Sequence, residues 1–152
     1  MEKIDIKVIA CLRANARTSL KKISKLLNVP ISTIFDKIKL HRGKAIKKYC
    51  AIVDYNLLGY TTRAKVFVKK GNIKRDELKE HLLKHLNVNS LYKINNGYEF
   101  IADVIFKSMQ ELELFLENLE QKFGVKNPEV HHIIEELKAE GFLSDPRLSD
   151  LM

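Results

Sequence analysis

NARTSLKKISKLLNVPISTIFDKIKL, residues 15–40, holds two amphipathic patterns on either side of Asn28-Val29-Pro30. In the first, Leu20, Ile23, Leu26 and Leu27 recur at i, i+3, i+6 and i+7, an apolar face at helical period. Lys21, Lys22 and Lys25 fall on the opposite face, and Ser19 is placed to accept a hydrogen bond from a free N–H of the first turn. Pro30 breaks this helix, because it lacks an N–H and its ring clashes with the preceding turn. In the second pattern Ile31, Ile34, Phe35 and Ile38 form the inward face, leaving Ser32, Thr33, Asp36 and Lys37 outward with Lys39 towards the flank. Short polar and basic side chains on an exposed helix suit base edges and phosphates. A generic helical hairpin with a solvated face carries the same pattern.

Charge is distributed unevenly. Residues 1–60 contain 13 Lys and Arg against 4 Asp and Glu, net +9, whereas residues 61–152 contain 14 against 15, net −1. A basic half joined to a near-neutral half points to one part that meets a polyanion and another with a different task. At 152 residues the chain is long enough to bury a sizeable core. Two cysteines, Cys11 and Cys50, suit neither a disulfide scaffold nor a zinc site and are expected as reduced thiols. The start, MEKIDIKVIACL, is charged and amphipathic rather than a secretory leader, and no apolar run approaches membrane-spanning length, so a cytoplasmic location is expected.

Ile4, Val8, Ile9 and Leu12 predict a first helix ending around residues 14–16, with Asp5 near its positive end. With residues 15–40 this makes a three-helix domain. HRGKAIKK then forms a basic loop able to grip phosphates, with Gly43 able to stop the second reading helix. Alternation over Tyr49–Asp54 predicts a short strand and hinge. Further on, TTRAKVFVKK reads as a strand, and Leu78, Leu82, Leu83 and Leu86 mark a helix. VNSLYKIN and YEFIADVIF read as strands joined at Asn95-Asn96-Gly97. Ser108 caps a helix with Met109, Leu112, Phe115, Leu116 and Leu119 inward and Gly124 at its end. One more strand completes a split βαβ sheet. Residues 128–140 are ambiguous: Pro128, the spacing of Val130, Ile133, Ile134 and Leu137, and Gly141 describe a helix, while the topology calls for an edge strand. His131-His132 is a weak metal signal, since adjacent side chains diverge in either structure.

These residues resemble the Lrp/AsnC family of leucine- and asparagine-responsive transcription regulators. The resemblance spans almost the whole chain: Asp5 and Ile9, NARTSLKKISKLLNV, STIFDKIK, the linker IKKYCAIVDYNLLG from Ile46 to Gly59, and Asn96-Gly97-Tyr98-Glu99-Phe100, which is similar to the family's glycine-plus-acid turn. It implies an N-terminal helix-turn-helix and a C-terminal βαββαβ ligand-sensing domain. It also implies dimers formed through the sheets, often assembled to octamers, and an amino-acid effector bound between subunits at the glycine-acid turn. Pro30 stands where the family usually has a capping serine. The segment after Leu40 is one residue short and lacks the usual glycine before Ile46. Glu99 replaces the commoner aspartate, and the chain runs on to the tail FLSDPRLSDLM.

The expected fold class is therefore α+β: a three-helix winged-type helix-turn-helix domain over residues 1–48, a linker strand and hinge over 49–60, and a ferredoxin-like βαββαβ domain over 61–152. The expected function is a dimer-based, sequence-specific regulator binding double-stranded DNA at a pseudo-palindromic site, without catalysis or a bound metal. Base or near-base contacts are assigned to Ser32, Thr33, Asp36, Lys37 and Lys39. Phosphate contacts fall to Lys21, Lys22, Arg42, Lys44 and Lys47, and effector contacts to Asn96, Gly97, Tyr98 and Glu99. A homodimer is expected, with tetramer or octamer as further assemblies. Two alternatives stay open: an enzyme like the sirohaem decarboxylases of the same architecture, for which Tyr92, Tyr98 and His131 are available but joined by no motif, and an assembly module that does not read DNA sequence.

Overall fold

The computed structural model describes residues 1–147; the last residues of the tail, 148–152, lie outside the described part. The chain divides into two compact units, one of residues 1–52 with the segment from Leu137 onward, the other of residues 53–136.

The first unit contains α1 (Lys3–Ala14), α2 (Leu20–Leu27) and α3 (Ile31–His41). Its core is Val8, Cys11, Leu12, Ile23 and Ile34, with Ile4, Leu20, Leu27, Val29, Ile38 and Ile46 packed around it. Ser19 caps α2 as expected: its Oγ accepts from the Lys22 N–H at 3.2 Å, worth about 1 kcal/mol. Asn28 ends α2 in the left-handed region at φ 53°, a conformation Asn tolerates better than most residues. The Ser24 hydroxyl donates to the Val29 carbonyl at 2.6 Å, fixing the turn. Pro30 occupies the cap position of α3 and supplies no side-chain cap. After α3 the chain turns at Gly43, φ 74°, and returns through a single bridge between Arg42 and Ile46. The wing is no more than that.

Three expectations for this unit change. The spacing predicts Ile31 and Phe35 on the inward face of α3 and Leu26 on that of α2; all three are exposed. The buried stripe of α3 runs through Ile34 and Ile38, with the partly buried Lys37 and His41 beside it, and this turns Phe35 outward. Tyr49–Asp54 is not a strand: residues 47–54 form no regular element and are exposed. Alternation alone makes no strand where no neighbour supplies a hydrogen-bonded ladder.

The second unit runs β1 (Thr62–Lys69), α4 (Arg75–Lys84), β2 (Val88–Lys93), β3 (Tyr98–Phe106), α5 (Met109–Phe123) and β4 (Glu129–His132). The sheet order is β2-β3-β1-β4, every pairing antiparallel. Ala64, Val66 and Val68 of β1 and Phe100, Ala102, Val104 and Phe106 of β3 lie buried against Leu78 and Leu82 of α4 and Leu112, Phe115 and Leu119 of α5. The 128–140 ambiguity resolves in favour of topology. Glu129–His132 pairs with β1, Val130 opposite Val66, because the ladder satisfies an edge that a helix would leave open. Ile134 and Leu137, part of the helical pattern, are exposed. So are Leu83 and Leu86: α4 ends at Lys84, which leaves Leu86 beyond the helix, and Leu83 falls off the stripe set by Leu78 and Leu82. Met109, at the first turn of α5, is half exposed rather than inward. Gly124 closes α5 at φ 74°, and a Cβ there would stand 3.2 Å from the Asn72 carbonyl oxygen.

Candidate DNA-reading face and effector turn

The outward face of α3 presents Ile31, Ser32, Phe35, Asp36 and Lys39, all exposed; Thr33 is partly buried at its margin. Lys21, Lys22 and Lys25 stand exposed on α2, and Arg42, Lys44 and Lys47 on the turn after α3. Of the ten residues assigned to DNA, Lys37 is the one whose placement differs clearly. It does not point outward. Its Nζ lies 3.0 Å from Asp5 Oδ1 and is also paired with the Glu2 carboxylate, and its side chain is only 19% exposed.

Asp5 is the centre of this arrangement and is 3% exposed. The Glu2 N–H donates to Asp5 Oδ2 at 2.8 Å as half of a capping box. His41 Nε2 stands 3.3 Å from Asp5 Oδ1. Burial pushes the Asp5 carboxyl up, but the Glu2 N–H, Lys37 and His41 outweigh it and hold the group below its ordinary range. Lys37 and His41 are one turn apart on α3, so a single carboxylate at the start of α1 grips the last two turns of the reading helix. The sequence placed Asp5 only in the field of its own helix. An acid on the otherwise basic or apolar inner surface was the signal available for more.

In the second unit Asn96 and Gly97 carry φ 61° and 86°, the two successive positive φ angles of a type I′ hairpin turn. Tyr98 hydroxyl donates to Glu129 Oε2 at 2.7 Å. Glu99 is buried to 7% exposure and its Oε1 stands 2.6 Å from Arg75 Nε at the start of α4. The four residues assigned to an effector are consecutive at this turn, but their side chains part: Tyr98 reaches Glu129 of β4, while Glu99 pairs with Arg75 of α4, a partner that periodicity did not reveal. On the sheet face away from α4 and α5, Asp103 receives two hydrogen bonds from Arg63 and one from Asn89, at 2.9–3.1 Å. Burial raises the Asp103 carboxyl; those bonds and the Lys65 charge overcome it and hold it low. Phe67 packs edge-on against Tyr98 and His131 on the same face. Among the described residues no three His, Cys, Asp or Glu side chains converge as metal ligands, and no helix is long and apolar enough to cross a membrane.

A basic helix-turn-helix unit joined to a βαββαβ unit with a polar hairpin turn defines the class: a DNA-binding transcriptional regulator with a ligand-binding domain. Comparison with known proteins agrees. Residues 1–39 match the winged helix-turn-helix DNA-binding family and residues 64–142 the Lrp/AsnC ligand binding domain. The HTH-type transcriptional regulator FL11 of Pyrococcus horikoshii is 32% identical over 127 residues, 83% of this chain and 84% of that protein. An uncharacterised HTH-type transcriptional regulator of Pyrococcus abyssi is 27% identical over 147 residues, 96% of this chain and 99% of the relative. In fold the chain is similar to LrpC of B. subtilis (TM-score 0.82, 18% identity, 91% of this chain and 98% of that one). It is also similar to a Neisseria meningitidis transcriptional regulator solved as a complex with L-Met (TM-score 0.83, 19% identity, 100% and 99%). The chain belongs to the Lrp/AsnC family.

Proposed function

We propose that this chain acts in the cytoplasm as a homodimer that binds a pseudo-palindromic duplex without catalysing a reaction, and that an amino acid tunes its affinity. The observation that carries the reading is the set of exposed lysines and arginines on α2, on α3 and on the turn after it. Lys21, Lys22, Arg42, Lys44 and Lys47 neutralise phosphates and supply most of the affinity through counterion release. Ser32, Thr33, Asp36 and Lys39 lie at or near the bases. Lys37, assigned to DNA by pattern, acts instead as a positioning residue that fixes α3 to α1. The working division is a DNA-binding part over 1–48, a hinge over 49–60 and a sensing and assembly part over 61–152, of which the segment from Leu137 onward groups with the first unit, with dimers able to build tetramers or octamers.

The effector site is the Asn96–Glu99 turn. Positive φ at Asn96 and Gly97 shapes a backbone concavity suited to a carboxylate, and Glu99 meets an α-ammonium in exchange for Arg75. The L-Met complex of the Neisseria neighbour supports this chemical class. A gel shift of the full chain on its own upstream region over a salt series tests the DNA reading: a sequence-dependent complex whose affinity falls steeply with salt is expected, and equal weak binding to every duplex would refute it. Calorimetry against the twenty amino acids, with Glu99→Gln alongside, tests the site. A heat of binding that the substitution abolishes is expected, and binding unchanged in Glu99→Gln would put the effector elsewhere.

A further inference from the structure

The outward face of α3 is less polar than a surface read only by hydrogen bonds. Ile31 is 47% exposed and Phe35 53%. They are one turn apart on the same face, in the N-terminal half of the helix, which is the part a helix-turn-helix presents to base edges. Two large apolar side chains in water are a cost unless something covers them. The surroundings indicate what does. Lys21, Lys22 and Lys25 of α2, which packs against α3, and Lys39 of α3 are all exposed, within a half-chain carrying net +9. An exposed apolar pair on a strongly basic unit suits a surface whose walls are anionic and whose floor is partly apolar. The DNA major groove is such a surface, since its walls are phosphates and the C5-methyl of thymine is the apolar group among its base edges.

We propose that Phe35, with Ile31 beside it, reads thymine C5-methyl groups in the major groove, making this contact a determinant of sequence specificity. The inference rests on the DNA-binding reading above and deepens it. Ser32 and Asp36 lie beside the apolar pair and leave hydrogen-bonding capacity for neighbouring bases, so the helix reads one methyl-bearing step and one polar step side by side.

The test uses the full chain and a duplex selected by it from a random pool. Each thymine is then replaced in turn by uracil, which removes the methyl and keeps the Watson–Crick pairing. At one or two positions in each half-site, affinity should fall by about fourfold per methyl. Phe35→Ala should bind more weakly and no longer distinguish thymine from uracil there, Phe35→Leu should keep part of the discrimination, and Lys21→Ala should weaken both duplexes equally. Equal affinity for thymine and uracil at every position overturns the proposal, as does a Phe35→Ala protein that still discriminates. The uracil series on the unaltered chain decides the methyl contact even if a variant fails to fold. Failure to select any duplex at low salt overturns the DNA-binding reading itself, an outcome distinct from selection without methyl dependence.

Discussion

Lys37 and Asp5 form a pair whose removal should be felt in stability before it is felt in DNA affinity. Asp5 is buried, and deleting Lys37 leaves its charge incompletely met, whereas Lys37 keeps Glu2 when Asp5 is removed. Asp5→Asn should lower the unfolding free energy by about 1–3 kcal/mol in urea titrations at neutral pH, and Lys37→Ala should shift the midpoint in the same direction. The pH dependence has a definite sign. The folded-state Asp5 carboxyl sits below the ordinary 3.8, so its contribution is complete above that value and is lost as the pH falls through the folded value. The gap between wild type and Asp5→Asn should stay constant from about pH 5 to 7 and close below about pH 4; a gap that widens in acid would contradict the clamp. None of this was legible in the spacing of α3. The residues at positions 35 and 37 both fit the margin of an amphipathic stripe, and only the distant carboxylate decides that Lys37 turns in and Phe35 out.

At the scale of elements, the parts with strong local signals emerged as expected: the Ser19 and Ser108 caps, the Asn96-Gly97 turn, and the Gly124 stop. Elements that depend on a neighbour did not read locally. Residues 129–132 have helical spacing yet become β4 because β1 lends them a ladder, and 49–54 alternate yet remain without one. The Asn96–Gly97 hairpin turn was legible because its chemistry is local, whereas the Arg75 that pairs with Glu99 comes from another element. Two predictions belong here. Lys21→Ala and Lys22→Ala on α2 should each reduce the slope of log affinity against log salt by about one; unchanged slopes would move the phosphates elsewhere. At the end of α4, His81 and His85 meet edge to face with ring centres 5.3 Å apart. Burial lowers both, helped at His81 by Lys122 and at His85 by His81. Histidines that resist protonation when folded leave the unfolded state to take up the protons. Stability should therefore be greatest above the ordinary 6.5 and decline as the pH falls below it. Thermal melts should show a lower midpoint at pH 5.5 than at 7.5, and the double substitution to Gln should flatten that slope.

At the scale of the whole molecule, the split in charge matches a division of labour: the net +9 portion contains α1 to α3, and the near-neutral remainder contains the sheet. The sheet face opposite α4 and α5 carries Phe67, Tyr98 and His131 in one aromatic group beside the Arg63–Asp103 pair. That mixture of an apolar centre and satisfied charges suits a contact between identical copies. Phe67→Glu should convert a dimer to a monomer in sedimentation velocity at micromolar concentration and weaken binding to a two-half-site duplex far more than to a single half-site. An unchanged sedimentation coefficient would remove this face from the assembly.

The segment from Lys47 to Asp54, eight residues without a regular element, has a consequence for the geometry of the operator. Fully extended, such a tether reaches at most roughly 28 Å. Residues 53–136 connect to the first unit at both ends, so in the proposed dimer two connections would bound the volume open to the second head. In that dimer the spacing of half-sites would depend on the length of both connections as much as on α3, and shortening or stiffening either would retune which pairs of half-sites are held together while leaving the letters of each half-site unchanged.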